Sequence, residues 1–328
     1  MSQTQNQLSR YGAISRVIPD LAPGAKLFLV SDSDDTTVGP LNLASEFPVD
    51  RDGVVRVYST IQAANNAAAA NRGDVIAVLP GYDQSLTAAD SWNTAGVTVL
   101  GMGRGTMRPT IRYTGASGEV GLGANNIRVT NMRFLAAADS IARAVDIDSG
   151  FQGIHFDNNI FDFDTATNDF RVMLRVGSRK SVIEDNRFIA EDTAGTGRGI
   201  SLKGGAAAFS TIRRNYFHGQ FDTVGDTSNG AGAIAQDTTD TADTNCNGMR
   251  IEDNTIVSTD TAATMIFRLS AGYTYRGTVF GGNRMTTLDS TTADTSKIEA
   301  PADVRYFRNY IGHDSSEKLI GDSFVLAA

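Results

Sequence analysis

The side chains best able to do chemistry in this chain are aspartates, and five lie close together: Asp146, Asp148, Asp157, Asp162 and Asp164. Asp146 and Asp148 alternate with Ile147, so a strand here presents both carboxylates on one outer face. Asp162 and Asp164 share a face after Phe161 in the same way. Grouped carboxylate oxygens hold calcium, and a pair of carboxylates flanking a glycosidic bond hydrolyses it. Arg171 and Arg175 follow and supply positive charge. Asp146, Asp148, Asp162 and Asp164 are therefore the candidate catalytic residues. The plainer reading is a solvated acidic surface in an aspartate-rich chain, and it is preferred over both catalysis and a metal site.

Other reactive residues point the same way. The three histidines, His155, His218 and His313, form no spaced metal pair and are expected at the surface. Gly101-Met-Gly103-Arg-Gly105 has the wrong spacing for a nucleotide turn and reads as a bend. Cys246 is the single cysteine and excludes an internal disulfide framework. Trp92 and the scattered tyrosines do not make an aromatic sugar platform. No nucleophile elbow, zinc-protease motif or phosphate loop occurs. No cofactor is expected.

The elements that carry these residues are set by a repeat. Seven segments share an apolar residue, two variable residues, an asparagine (once methionine), one variable residue and a large apolar residue. They are Val129-Thr-Asn-Met132-Arg-Phe134, Phe156-Asp-Asn-Asn159-Ile-Phe161, Ile183-Glu-Asp-Asn186-Arg-Phe188, Ile212-Arg-Arg-Asn215-Tyr-Phe217, Ile251-Glu-Asp-Asn254-Thr-Ile256, Phe280-Gly-Gly-Asn283-Arg-Met285 and Tyr306-Phe-Arg-Asn309-Tyr-Ile311. Their fourth positions are separated by 27, 27, 29, 39, 29 and 26 residues, the mark of a solenoid. The apolar residues lie three before and two after the asparagine. That odd separation cannot place both on one face of a straight strand. The chain must bend near the asparagine so that both point inward. Asn159, Asn186, Asn215, Asn254, Asn283 and Asn309 then stack, each amide bonded to neighbouring backbone and to the next asparagine.

A third strand per coil is expected around Ala144–Ile147, Val172–Val176, Gly199–Leu202, Ala233–Ile234 and Met265–Leu269. Ser59-Thr-Ile-Gln62 reads as a capping box opening a helix that runs to about Asn71, with Ile61, Ala64 and Ala68 on one face and Gly73 ending it. This helix should plug the open end of the core. Asp74–Leu79, Val97–Leu100 and Thr110–Tyr113 continue as strands. The expected architecture is all-β, a right-handed parallel β-helix solenoid with an N-terminal capping helix and an N-terminal arm. Its parts are an arm over residues 1–50, the β-helix over 51–312 with an insertion loop at about 219–247, and a C-terminal cap or tail over 313–328. The arm contains Lys26-Leu-Phe-Leu-Val30, which should pack on the coil's flank, a neighbouring subunit or a larger assembly. The tail ends in Ser323-Phe-Val-Leu-Ala-Ala328, which should cover the last coil or add to a partner's sheet.

The helix, Gly73-Asp-Val-Ile, Leu79-Pro-Gly-Tyr82 and the asparagine repeats resemble the pectate-lyase-like β-helix superfamily over roughly residues 54–312. That resemblance implies the fold but leaves function open among lyases, hydrolases, adhesins and phage virion proteins. Enzymes of the superfamily act on acidic polysaccharides with clustered carboxylates and a basic residue.

Composition narrows the field. The net charge of −8 argues against nucleic-acid binding. The first twenty residues lack the apolar core of a secretion signal, and no apolar run is long enough to span a bilayer. The Ala, Thr, Gly, Asp and Asn-rich surface, poor in lysine, resembles bacteriophage virion proteins. The expectation is a non-enzymatic, capsid-decorating (cement or head-spike) protein on the outer surface of a virion, assembled in the host cytoplasm. Its arm would contact the major capsid protein or another virion component, and a homotrimer is favoured. The alternative is a tailspike-like protein that binds or cleaves a host glycan, as lyase or glycoside hydrolase.

Overall fold

A computed structural model describes residues 24–31, 56–190, 196–221, 231–237, 244–259, 266–270, 272–287, 298–299, 301–313 and 316–320. The chain is a parallel β-solenoid of about 8 turns. Among the described residues three sheets run along its length, with 11, 10 and 8 strands. Each coil contributes one strand to each sheet in turn. The third repeat shows the order: Val182–Glu184 in the first sheet, Arg187–Ile189 in the second and Arg198–Lys203 in the third.

The bend demanded by the odd apolar spacing sits at the residue just before each asparagine. Asn131, Asn158, Asp185, Arg214, Asp253, Gly282 and Arg308 all have φ between 47° and 68°. Left-handed backbone there swings the chain from the first sheet to the second, so Ile183 and Phe188 both enter the core. Asparagine and aspartate tolerate this conformation better than most side chains.

Successive coils then place like on like. Phe134, Phe161, Phe188 and Phe217 form a continuous stack with ring centroids 5.1, 4.9 and 4.7 Å apart. The polar position stacks as well. Asn215 donates from Nδ2 to the Ile183 carbonyl at 2.9 Å and to Asn254 Oδ1 at 3.0 Å. Its own Oδ1 accepts from the Asn186 backbone at 3.1 Å and from Asn186 Nδ2 at 3.0 Å. The same pattern runs from Asn159 to Asn309, and Met132 joins it by donating its backbone N–H to Asn159 Oδ1. Every amide is thus satisfied inside an apolar core, which is the condition for burying it.

The N-terminal end differs from the sequence expectation in three respects. The helix, here α1, spans Ile61–Ala67 and not 59–71; Thr60 is its N-cap, accepting from the Ala63 backbone at 3.2 Å. The cap is therefore one residue later than the Ser59 box. The helix stops early because Asn71 already bonds to the Ala95 carbonyl as part of the solenoid corner. Gly73, with φ 79°, serves that corner and does not end the helix.

Thirdly, Leu27–Val30, assigned to an arm outside the rod, is a strand of the first sheet. It lies between Val57–Tyr58 and Val75–Val78 and is parallel to both. Of the three sites left open for it, it occupies the coil's flank. Buried Asp74 fastens it, accepting from the Lys26 backbone, the Ala69 backbone and Arg72. Residues 1–23 and 32–55 lie outside the described residues.

The third-sheet strands fall where the repeat placed them, including Gly232–Asp237, so the long 39-residue spacing contains a regular strand. Most of the rest of that insertion, residues 222–230 and 238–243, lies outside the described residues, as do 314–315 and the Ser323–Ala328 end. Ser316–Ile320 adds antiparallel to the last second-sheet strand, Asn309–His313. Among the described residues no helix is long and apolar enough to cross a membrane.

Candidate functional site

The solenoid distributes the five aspartates over three faces. Asp146 lies on the third sheet, between Gly121 and Arg175 in register, with Asp148 just beyond the strand. Asp157 lies on the first sheet, beside Thr130 and Glu184. Asp162 lies on the second sheet, with Asp164 immediately after it. Residues close in sequence diverge because a corner separates 148 from 157 and the left-handed bend at Asn158 separates 157 from 162.

Four of the five are held by arginines from other coils. Arg175 pairs with Asp146 through two bonds, Nε to Oδ1 at 2.7 Å being one. Arg128 and Thr130 each bond Asp157 at 2.8 Å. Arg133 bonds Asp162 at 2.7 Å, and Arg112 spans from Asp83 to Asp164, 3.1 Å away. Burial works to raise the Asp157 carboxyl, but the bonds from Arg128, Thr130 and Asn158 win and hold it below the usual range. The charge of Arg171 acts on Asp169.

A further charged network on the first sheet was legible only once the coils are aligned on their asparagines. His155, expected at the surface, is half-buried and lies 2.9 Å from Glu184 and 3.6 Å from Asp157. Glu184 also takes Arg213 at 2.7 Å and Arg214 at 2.6 Å. Asp157, Glu184, Arg213 and Glu252 occupy the same repeat position, two before the asparagine, and so form one column. His218 stacks beside Tyr216 on the second sheet, while the His313 side chain lies outside the described residues. Cys246 is wholly buried and its thiol donates to the Gly204 carbonyl. Trp92 is a core residue opposite Leu122.

Asp148 is the exception among the candidates. Burial first, and Asp146 second, push its carboxyl above the ordinary aspartate value. It lies over Gly123, where an added Cβ would stand 3.3 Å from its Oδ2. The next residue, Ser149, enters the wall of a groove of about 550 Å³ that crosses four coils and includes Asn125, Phe151, Gln152, Arg179 and Lys203. A carboxyl raised in this way beside a groove is the feature a general acid requires. Hydrolysis of a glycoside needs a second carboxylate across the bond, and the nearest by sequence, Asp146, is engaged by Arg175. Among the described residues no three His, Cys, Asp or Glu side chains converge to hold a metal ion. No protein-family model matches this chain, and no curated protein matches it in sequence.

Proposed function

We propose that this chain is a structural rod: a non-enzymatic virion protein that decorates a bacteriophage capsid and is anchored through its N-terminal segment. One observation carries the non-enzymatic part of the reading. The carboxylates that could have formed a catalytic cluster face three directions, and four of the five are neutralised by arginines of other coils. Such pairs cross-link the solenoid along its axis. The virion assignment is supported by the lysine-poor, Ala, Thr, Gly, Asp and Asn-rich composition, and by the likeness of the repeats to the pectate-lyase-like β-helix superfamily, which includes phage virion proteins. The partner in this reading is the major capsid protein or another virion component, and the assembly is a homotrimer. The test is removal of residues 1–23 followed by sedimentation with the parent particle. Loss of binding by a folded rod is the expected result; undiminished binding rejects the anchor.

A second reading rests on Asp148 and its groove: a tailspike-like protein that binds or cleaves a glycan. Incubation with host capsule, pectin and alginate should yield no new reducing or unsaturated ends. Sustained turnover, abolished by Asp148→Asn, would replace the structural reading.

A further inference from the structure

Asp90 is a buried carboxyl that no function described above uses. It belongs to the strand Ala89–Trp92 and faces inward, opposite Val120. It is 4% exposed. Its Oδ2 receives only two long bonds, from Gln84 Nε2 and Trp92 Nε1, each at 3.4 Å. Among the described residues its Oδ1 has no hydrogen-bond partner. The groups acting on it are Gln84, Trp92 and the Ser91 backbone.

Among the described residues the surroundings supply no cation. On the second sheet the inward neighbours are Gln84, Leu86, Ile111 and Tyr113, whose hydroxyl is engaged by the Ala144 carbonyl. On the third they are Trp92, Val120 and Leu122, with Glu119 a further negative charge acting on Tyr113. From α1 come Ile61, Ala64 and Asn65, and Asn65 is itself left with an unpartnered Nδ2. An ionised carboxylate in this place would carry an uncompensated charge in the core, and such groups keep their proton instead. The carboxyl is accordingly raised above its ordinary value, with burial as the leading cause.

A chain of polar contacts links this carboxyl to the cap. Gln84 bonds Asp90 through Nε2, and its Oε1 accepts from the Tyr82 hydroxyl at 2.6 Å. The same hydroxyl lies 3.0 Å from the carbonyl oxygen of Ser59, which immediately precedes the N-cap of α1. One hydroxyl proton serves one acceptor at a time. Ionisation of Asp90 would strengthen its bond from Gln84 Nε2 and polarise Gln84 Oε1 into a better acceptor, drawing the Tyr82 hydroxyl away from the Ser59 carbonyl.

We propose that Asp90 is a proton-operated latch on the cap: the neutral acid lets α1 close the first coil, and loss of its proton loosens the cap and that coil. A carboxyl whose folded value is raised favours the closed state fully below its ordinary value of 3.8 and loses that contribution as pH rises through the folded value. The latch is independent of what the rod attaches to.

Hydrogen exchange over residues 61–67 and 89–92, corrected for the chemical rate, tests this on the full chain. Wild type should open about tenfold more per pH unit across the window between the ordinary and folded values, then level off. Asp90→Asn should show no such rise and should be more protected at neutral pH. Identical pH courses for wild type and Asp90→Asn would overturn the latch. If that variant does not fold, the carboxyl carbon resonance of Asp90, followed in wild type, decides: titration at the ordinary aspartate value rejects the proposal, and delayed titration accompanied by loosening of α1 supports it.

Discussion

At the scale of single residues, the interior asparagines show how a polar group becomes part of a core. Asn215 takes part in four side-chain bonds along the axis. Replacing it with leucine keeps the volume roughly constant but strands the Asn186 N–H and the Ile183 carbonyl. The expected cost is about 2–4 kcal/mol in urea unfolding; a loss below about 1 kcal/mol would mean the stack is dispensable. Asp157 makes a separate prediction in acid. Its carboxyl is held below the usual range, so its contribution is present above 3.8 and lost as pH falls through the depressed folded value. Asp157→Asn should therefore be less stable than wild type at neutral pH, with the gap closing in acid. These roles differ in how far they can be read from sequence. The parity of Val129 and Phe134 locates the bend from the repeat alone. The separation of Asp146, Asp157 and Asp162 onto three faces follows only when each corner between them is placed, and sequence proximity hides it.

Elements show the same division. Strands are legible because the repeat fixes their inward positions, as with Ile212 and Phe217. The sequence predicts too long a helix because Ala67–Ala70 favours helix locally, whereas the solenoid corner captures Asn71. Thr60→Ala should lower stability by about 1 kcal/mol through loss of the N-cap, visible as a matching shift in the denaturant midpoint. The turns are the least forgiving parts. Gly219 ends a second-sheet strand with φ 116°, and an added Cβ would lie 2.0 Å from the Ala190 carbonyl oxygen. Gly219→Ala combines backbone strain with a backbone clash that no rotamer relieves, so it should cost more than about 3 kcal/mol or prevent folding. Arg214 and Arg308 at left-handed bends could not be anticipated from residue type. Arg214 is held by Asp185 and Glu184 in the preceding coil, a register known only after the coils are aligned.

For the whole molecule, the decisive boundary lies inside what sequence alone marked as an arm. The asparagine repeat does not extend to residues 27–30, so nothing in its periodicity ties them to the rod. Yet this strand is sandwiched in the first sheet, with Phe28 and Val30 in the core and Asp74 fixing its start. Two truncations therefore separate anchoring from folding. Removing 1–23 leaves every described contact of the rod in place and serves as the reference for the longer truncation. Removing 1–31 strips Val75–Val78 of one of its two partners, releases Val57–Tyr58 and exposes the face on which α1 packs. Burying a large apolar side chain contributes about 1.5–3 kcal/mol, so losing Phe28 and Val30 alone should cost about 3–6 kcal/mol. That is a large fraction of the 5–15 kcal/mol typical of a domain. The unfolding midpoint of the 1–31 truncation should fall markedly, with exchange rising first over residues 57–78. Equal midpoints for the two truncations would show that the strand decorates the rod without supporting it. Any loss of particle binding by the longer truncation could then be attributed to the arm alone.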